Sequence, residues 1–252
     1  MLKKKLLVVA LASAFSLPAL ADDLTVSSNV SLVSDYLYRG ISQSGALPAL
    51  QGGFDLSHAS GLYAGVWGSS ISWVSDAGLA NSAGLELDTY AGYKGTAADI
   101  GYDVGFLRYN YPGSYAAAVI KPDTNEIYGA LSYSIVTAKL SYSLGDLFGV
   151  SKAQGSTYAE LNASYVIADT GITVGGHAGL QTYTGATADA AKAGGADPTY
   201  SDYKLSVTKD FSGYVAGLAL SGTNASSFYT TITPEAKKLG KGTVVLSLSR
   251  AM

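Results

Sequence analysis

His58 and His177 are the chain's two histidines, and there is no cysteine. Hydrolysis by a serine nucleophile needs a histidine beside the hydroxyl and a third group that orients the imidazole. His177 shares a predicted strand face with Thr173 and Gln181, and a serine on a neighbouring strand, such as Ser164, is the nucleophile it would need. His58 falls in a short turn, where solvent surrounds it. The Gly-x-Ser-x-Gly elbow and the GxxxxGK[ST] phosphate loop are both missing. A lone strand histidine is more often a hydrogen-bonded wall residue than a base, so the chain reads as a non-enzyme. Two distant histidines without cysteine give no transition-metal spacing, and no acidic loop follows the EF-hand pattern. No catalytic residue, metal or cofactor is expected.

Charged residues offer a different chemistry. Strand alternation places Asp35, Asp55, Glu86, Asp88, Asp103, Glu126 and Glu160 on one side, together with Arg39, Lys139 and Lys204. Lining a narrow channel, seven acids against three bases would set up a field that favours cations, because low-dielectric walls focus it. The competing reading is a salt-bridged interior that fills the space, as in small closed barrels. The segment Asp35–Gln43 has two readings of its own. Arg39 and Gln43 fold inward and build a constriction with Asp35, or Asp35 and Arg39 pair at the rim while Gly40 makes the turn. The rim pair is the expected one.

Those residues need a scaffold, and the spacing of the strand-like segments defines it. Strands are predicted at 24–37, 47–57, 62–73, 84–93, 99–111, 124–134, 138–144, 156–167, 171–183, 200–210, 214–222 and 241–251. Their links alternate between long ones of about 9 to 18 residues and short ones of about 3 to 5, the usual hairpin range. Tight turns at one end and free loops at the other are the habit of an outer-membrane barrel. An even strand number also brings both termini to the short-turn end.

Period-two alternation supports the same reading. Leu85, Leu87, Thr89, Ala91 and Tyr93 oppose Glu86, Asp88, Tyr90 and Gly92, and Tyr203, Leu205 and Val207 oppose Lys204, Ser206 and Thr208. Aromatics gather near strand ends. Tyr63, Tyr93, Tyr102, Tyr133, Tyr165 and Tyr214 lie near the short turns, and Tyr36, Trp73, Tyr111, Tyr183, Tyr200 and Tyr203 near the long loops. Two girdles at the two membrane interfaces are therefore expected. Glycines inside strands, Gly65, Gly92 and Gly179 among them, suit a curved wall with close side-chain packing.

The first residues speak for export. Lys3, Lys4 and Lys5, the apolar run Leu6 to Leu17 and Ala19-Leu20-Ala21 form a cleavable signal peptide over 1–21, leaving 22–252 as a single barrel domain. After cleavage 13 basic and 19 acidic residues remain, so no basic patch invites nucleic acid. Mean hydropathy is +0.20 with 14% charged residues, which suits an outer face in lipid.

Several stretches are similar to the TorF family of proteobacterial outer-membrane porins. They are Asp35-Tyr36-Leu37-Tyr38-Arg39-Gly40-Ile41-Ser42-Gln43-Ser44, Gly61-Leu62-Tyr63-Ala64-Gly65-Val66-Trp67-Gly68-Ser69-Ser70 and Glu86-Leu87-Asp88-Thr89-Tyr90-Ala91-Gly92-Tyr93, with an echo at Tyr109-Asn110-Tyr111-Pro112-Gly113. The resemblance implies a signal-bearing barrel of porin type and supplies no substrate. One departure from many outer-membrane proteins is the last residue, Met252, which is apolar but not aromatic. The expectation is an all-β, transmembrane, antiparallel up-and-down barrel of about 12 strands in the outer membrane of a Gram-negative bacterium. It would contact outer-membrane lipid and pass small solutes or ions, leaning to cations. The alternatives are a non-conducting barrel whose loops, with Phe228, Tyr229 and Ile232, bind a partner, and a lipid-modifying barrel enzyme.

Overall fold

Alternation of apolar and polar residues over runs of 8 to 13 residues gives twelve strands long enough to cross a bilayer when tilted. The computed structural model describes residues 23–231 and 236–252. The expected signal peptide and Ile232 lie outside these residues. β1 (Leu24–Val33) is followed by a small hairpin, β2 (Leu37–Tyr38) and β3 (Ile41–Ser42), within the first loop. The wall continues with β4 (Ala49–His58), β5 (Leu62–Ser70), β6 (Leu85–Ala97), β7 (Ile100–Asn110), β8 (Thr124–Tyr133) and β9 (Val136–Ser143). It finishes with β10 (Thr157–Ile167), β11 (Ile172–Thr182), β12 (Tyr200–Phe211), β13 (Tyr214–Thr223) and β14 (Thr243–Ala251). Short helices α1 (Trp73–Asp76) and α2 (Ala186–Ala193) and a 3-10 turn (Ser227–Tyr229) sit in long loops.

Each of the twelve wall strands pairs antiparallel with its chain neighbours, and β1 pairs with β14 to close the barrel. Closure leaves no ladder edge, the condition for holding a sheet in lipid. Ser28 and Met252 exchange two backbone hydrogen bonds of 2.7 Å, so the start of β1 and the end of β14 meet at the short-turn end. Turns there are two to four residues long. Ser212 and Gly213, with φ of 57° and 92°, make a two-residue turn whose twist matches the strands it joins.

The barrel is apolar outside. Leu205, Phe54 and Leu50 are more than 60% exposed on the outer face, whereas Glu86 on the inner face is 1% exposed. An exposed leucine or phenylalanine forgoes about 1.5–3 kcal/mol of transfer energy in water, and lipid supplies that environment. This face assignment matches the sequence reading of β6 and β12. Inside the wall, strand glycines seat tyrosine rings. Tyr90 lies opposite Gly65 and Tyr128 opposite Gly105, and a Cβ added there would stand 2.5 Å from the Tyr90 ring and 2.6 Å from that of Tyr128.

One expectation about the faces is corrected. The short-turn girdle exists, with Tyr93, Tyr133, Tyr165 and Tyr214 exposed outward, although Tyr63 turns into the lumen. The long-loop girdle does not form as drawn. Tyr203 faces out, but Tyr36, Tyr111 and Tyr200 are buried, packed inside the barrel mouth with Ile71, Val74 and loop residues. Tyr36 and Tyr111 lie beyond the last residues of β1 and β7, where the period-two rule lapses, whereas Tyr200 lies within β12 and keeps that strand's inward parity.

Candidate functional site: a lumen half filled by the first loop

Residues 34–48 turn back into the barrel. Arg39 and Gly40 form the tip of the β2–β3 hairpin, with φ of 47° and 75°. Both values belong to the left-handed region that this turn type requires. Glycine is needed at position 40 for a second reason, because a Cβ there would stand 2.5 Å from Asp202 Cβ on β12. The hairpin thus lies close against the wall and aims Arg39 at the lumen.

Arg39 crosses to the opposite wall. Its Nη1 and Nη2 donate to the two carboxylate oxygens of Glu126 on β8 at 3.0 and 2.7 Å, and Nη1 also donates to Gln181 Oε1 on β11 at 2.8 Å. The guanidinium lies 4.3 Å from the Tyr158 ring centre and 4.9 Å from that of Tyr38. Tyr109 adds a hydrogen bond to Glu126 at 3.2 Å. A planar fork meeting a carboxylate at two points is the strongest form of this pair.

The rim pair between Asp35 and Arg39 is therefore corrected. Asp35 accepts from Ser42 Oγ at 2.6 Å and from Ser44 Oγ at 3.1 Å within its own loop. Burial pushes its carboxyl pKa up, with those two serines pulling it partly back. Gln43 stays in the loop, donating to the Ile41 carbonyl at 2.9 Å. The inward-folding alternative is half realised, with Arg39 as the crossing residue.

Most of the other charges named from the sequence line the β5–β11 side of the lumen, with Asp55 on β4 and Lys204 on β12 flanking it. Glu86 accepts from Tyr36 at 2.9 Å, and Asp88 is buried beside it under the first loop. One oxygen each of Asp35, Glu86 and Asp88 is buried without a hydrogen-bond partner. Nearer the short-turn end Tyr90 donates to Asp55 and Tyr63 to Asp103, both at 2.6 Å, and Tyr63 also meets Tyr128. Lys139 lies 4.0 Å from Glu160 and 4.4 Å from the Tyr128 ring centre. His177 touches Asn162 at 2.7 Å and Asp202 at 2.9 Å, with Tyr158 bridging to Asp202 at 2.9 Å. Ser164 faces Gly175 in the ladder and takes no part in that cluster. His58 is exposed at its turn, bonded to Ser60.

Two lumenal charges escaped the sequence reading. Lys94, 5.2 Å from the Tyr63 ring centre, lies just past the expected end of its strand. Asp202 has the same parity as Lys204, and that signal was there to find.

The remaining wall is different in kind. Across β13, β14 and β1 the inward residues are mostly small, Gly217, Ala219, Ser221, Ser247 and Ser31 among them, flanked by Lys204 on β12 and Asp55 on β4. A cavity of about 440 Å³ lies there, between Ser206, Thr208, Gly217 and Ser247 on one side and Asp35, Tyr36 and Trp67 on the other. Lys204 is exposed in this open half. One half of the lumen is bulky, aromatic and bridged by Arg39; the other half is open.

A closed twelve-stranded antiparallel barrel with an apolar exterior and a polar, loop-constricted lumen has the architecture of outer-membrane β-barrels. The family Gcw_chp, described as a bacterial protein of unknown function, matches residues 19–252, and the chain belongs to it. No curated protein matches the sequence. Among solved structures, the barrel is similar to a membrane protein from work on in-meso crystallization (6% identity, TM-score 0.51, covering 90% of this chain and 83% of that one). Also similar are the KdgM porin in complex with disordered oligogalacturonate (7%, 0.49, 90% and 96%) and Omp33 of Acinetobacter baumannii (7%, 0.47, 91% and 99%). Identities this low speak to fold alone.

Proposed function

We propose that the protein is an outer-membrane channel for passive diffusion of small solutes or ions, with its route along the hydroxyl-lined wall. The observation that carries this reading is the asymmetry of the lumen. The Arg39 bridge and the tyrosine–carboxylate pairs fill one side, and the small side chains of β13, β14 and β1 leave a cavity between that wall and the first loop. The signal-like residues 1–21 and the resemblance to TorF family porins accord with it. Diffusion down a gradient requires no covalent chemistry. With Arg39 and Glu126 paired to each other, the lumenal acids Asp55, Asp103, Glu160 and Asp202 outnumber the lumenal bases Lys94, Lys139 and Lys204, so the channel leans to cations.

Single-channel recording of the refolded protein in a planar bilayer tests this reading. Discrete steps are expected, with a reversal potential favouring cations in a salt gradient; an anion-favouring potential would reject the charge preference alone. A second reading has its own support, because Arg39 bridges the lumen and Glu86 and Asp88 are sealed beneath the first loop. On that reading the barrel is non-conducting and its loops engage a partner. A correctly folded, silent barrel would favour it.

A further inference from the structure

The long-loop mouth holds a second cavity, of about 240 Å³, above the Arg39 hairpin. Its walls are aromatic: Tyr38, Trp73, Tyr111, Phe148, Tyr200 and Tyr229 all contribute. We infer that this cup binds a small, neutral aromatic molecule of one or two rings.

Three observations select that class. The first is size. Cavities near 150 Å³ accept benzene, so about 240 Å³ leaves room for a substituted ring or a fused pair.

The second is the state of the rings. They are held edge to face, Tyr200 against Tyr229 at 4.9 Å and 76°, Trp73 against Tyr111 at 5.4 Å and 86°, and Tyr38 against Phe148 at 5.7 Å and 75°. Rings fixed in this way present a preformed wall to a further ring, which aromatic pairing favours beyond area burial.

The third is the state of the polar groups. Arg39 is spent on Glu126 and Gln181, Ser42 on Asp35, Gln43 on the Ile41 carbonyl, and Tyr229 on the Pro198 carbonyl at 2.6 Å. Tyr38 is bonded to Tyr109 at 2.5 Å. An anion would find no uncompensated positive charge. One buried donor of the lining, Trp73 Nε1, has no partner; a single phenolic oxygen suits it, whereas a polyol would lose water from several hydroxyls, and a cation would face the guanidinium. A neutral aromatic loses little hydration and gains the wall.

The site does not depend on whether the barrel conducts, so its test reads binding and not current. The probe is 4-fluorophenol, uncharged at pH 7, followed by fluorine NMR with the refolded full barrel in nanodiscs. Saturable broadening and a shift are expected. Filling the cup with Ala77→Trp, or separately with Thr230→Trp, should weaken binding by about tenfold or more. 4-Fluorobenzoate and a fluorinated glucose should bind at least about tenfold more weakly than the phenol. Broadening that persists unchanged in both filled variants would mean partition into lipid and would overturn the site. Equal or tighter binding of the benzoate or the sugar would overturn the ligand class.

Discussion

Arg39 and Glu126 lie 87 residues apart and join across the barrel through two hydrogen bonds of 2.7 and 3.0 Å. This pair fixes the first loop inside the lumen, and the side chains of both partners are more than nine-tenths buried. Leaving either charge without the other costs about 3–5 kcal/mol in such surroundings.

Breaking the pair should therefore free the loop. Arg39→Ala is expected to raise single-channel conductance several-fold and to expose residues 34–48 to protease. Arg39→Lys should restore little, because a point charge cannot make the two-point contact. Unchanged conductance with a protease-sensitive loop would show that the hairpin does not limit the route.

The route itself can be narrowed from the open side. Ser206→Trp should cut conductance strongly, since Ser206 lines the open cavity. Tyr128→Ala, on the filled side, should change it much less. A larger effect at Tyr128 than at Ser206 would place the path along the other wall.

Asp35 gives the loop a pH dependence. Its carboxyl pKa is raised in the folded protein, chiefly by burial. The folded state therefore holds the proton more tightly than the unfolded one, whose value is about 3.9. Docking of the loop is then most favourable below that value and weakens as pH rises through the raised folded one. Asp35→Asn should abolish this component. Protease sensitivity of the first loop between pH 3 and 7 measures it, and a loop that tightens as pH rises would contradict the sign.

Gly65 seats the Tyr90 ring, and a Cβ would fall 2.5 Å from it. Gly65→Val should cost about 1–3 kcal/mol from overpacking. The double variant with Tyr90→Ala should recover part of that loss. Additive losses in the double variant would show that the ring is not what the glycine accommodates.

Sequence by itself determined the strands, their alternation and the closure of an even-numbered barrel. A period of two is a local property, so the inward direction of Glu86, Asp88, Glu126 and Lys204 follows from neighbours along the chain. Even the inward turn of Tyr200 was legible, because it shares parity with Asp202 and Lys204. Tertiary structure alone decided which inward groups meet. Register around the barrel brings His177 to Asp202 and Lys139 to Glu160, and no spacing in the chain encodes that. The first loop shows the same division. Composition marked Gly40 as a turn, but a rim pair of Arg39 with Asp35 and a bridge to Glu126 are equally compatible with the local sequence. The bridge forms because a carboxylate 87 residues away lies within reach of the inturned hairpin, and burial among tyrosines makes two-point pairing the way to satisfy both charges.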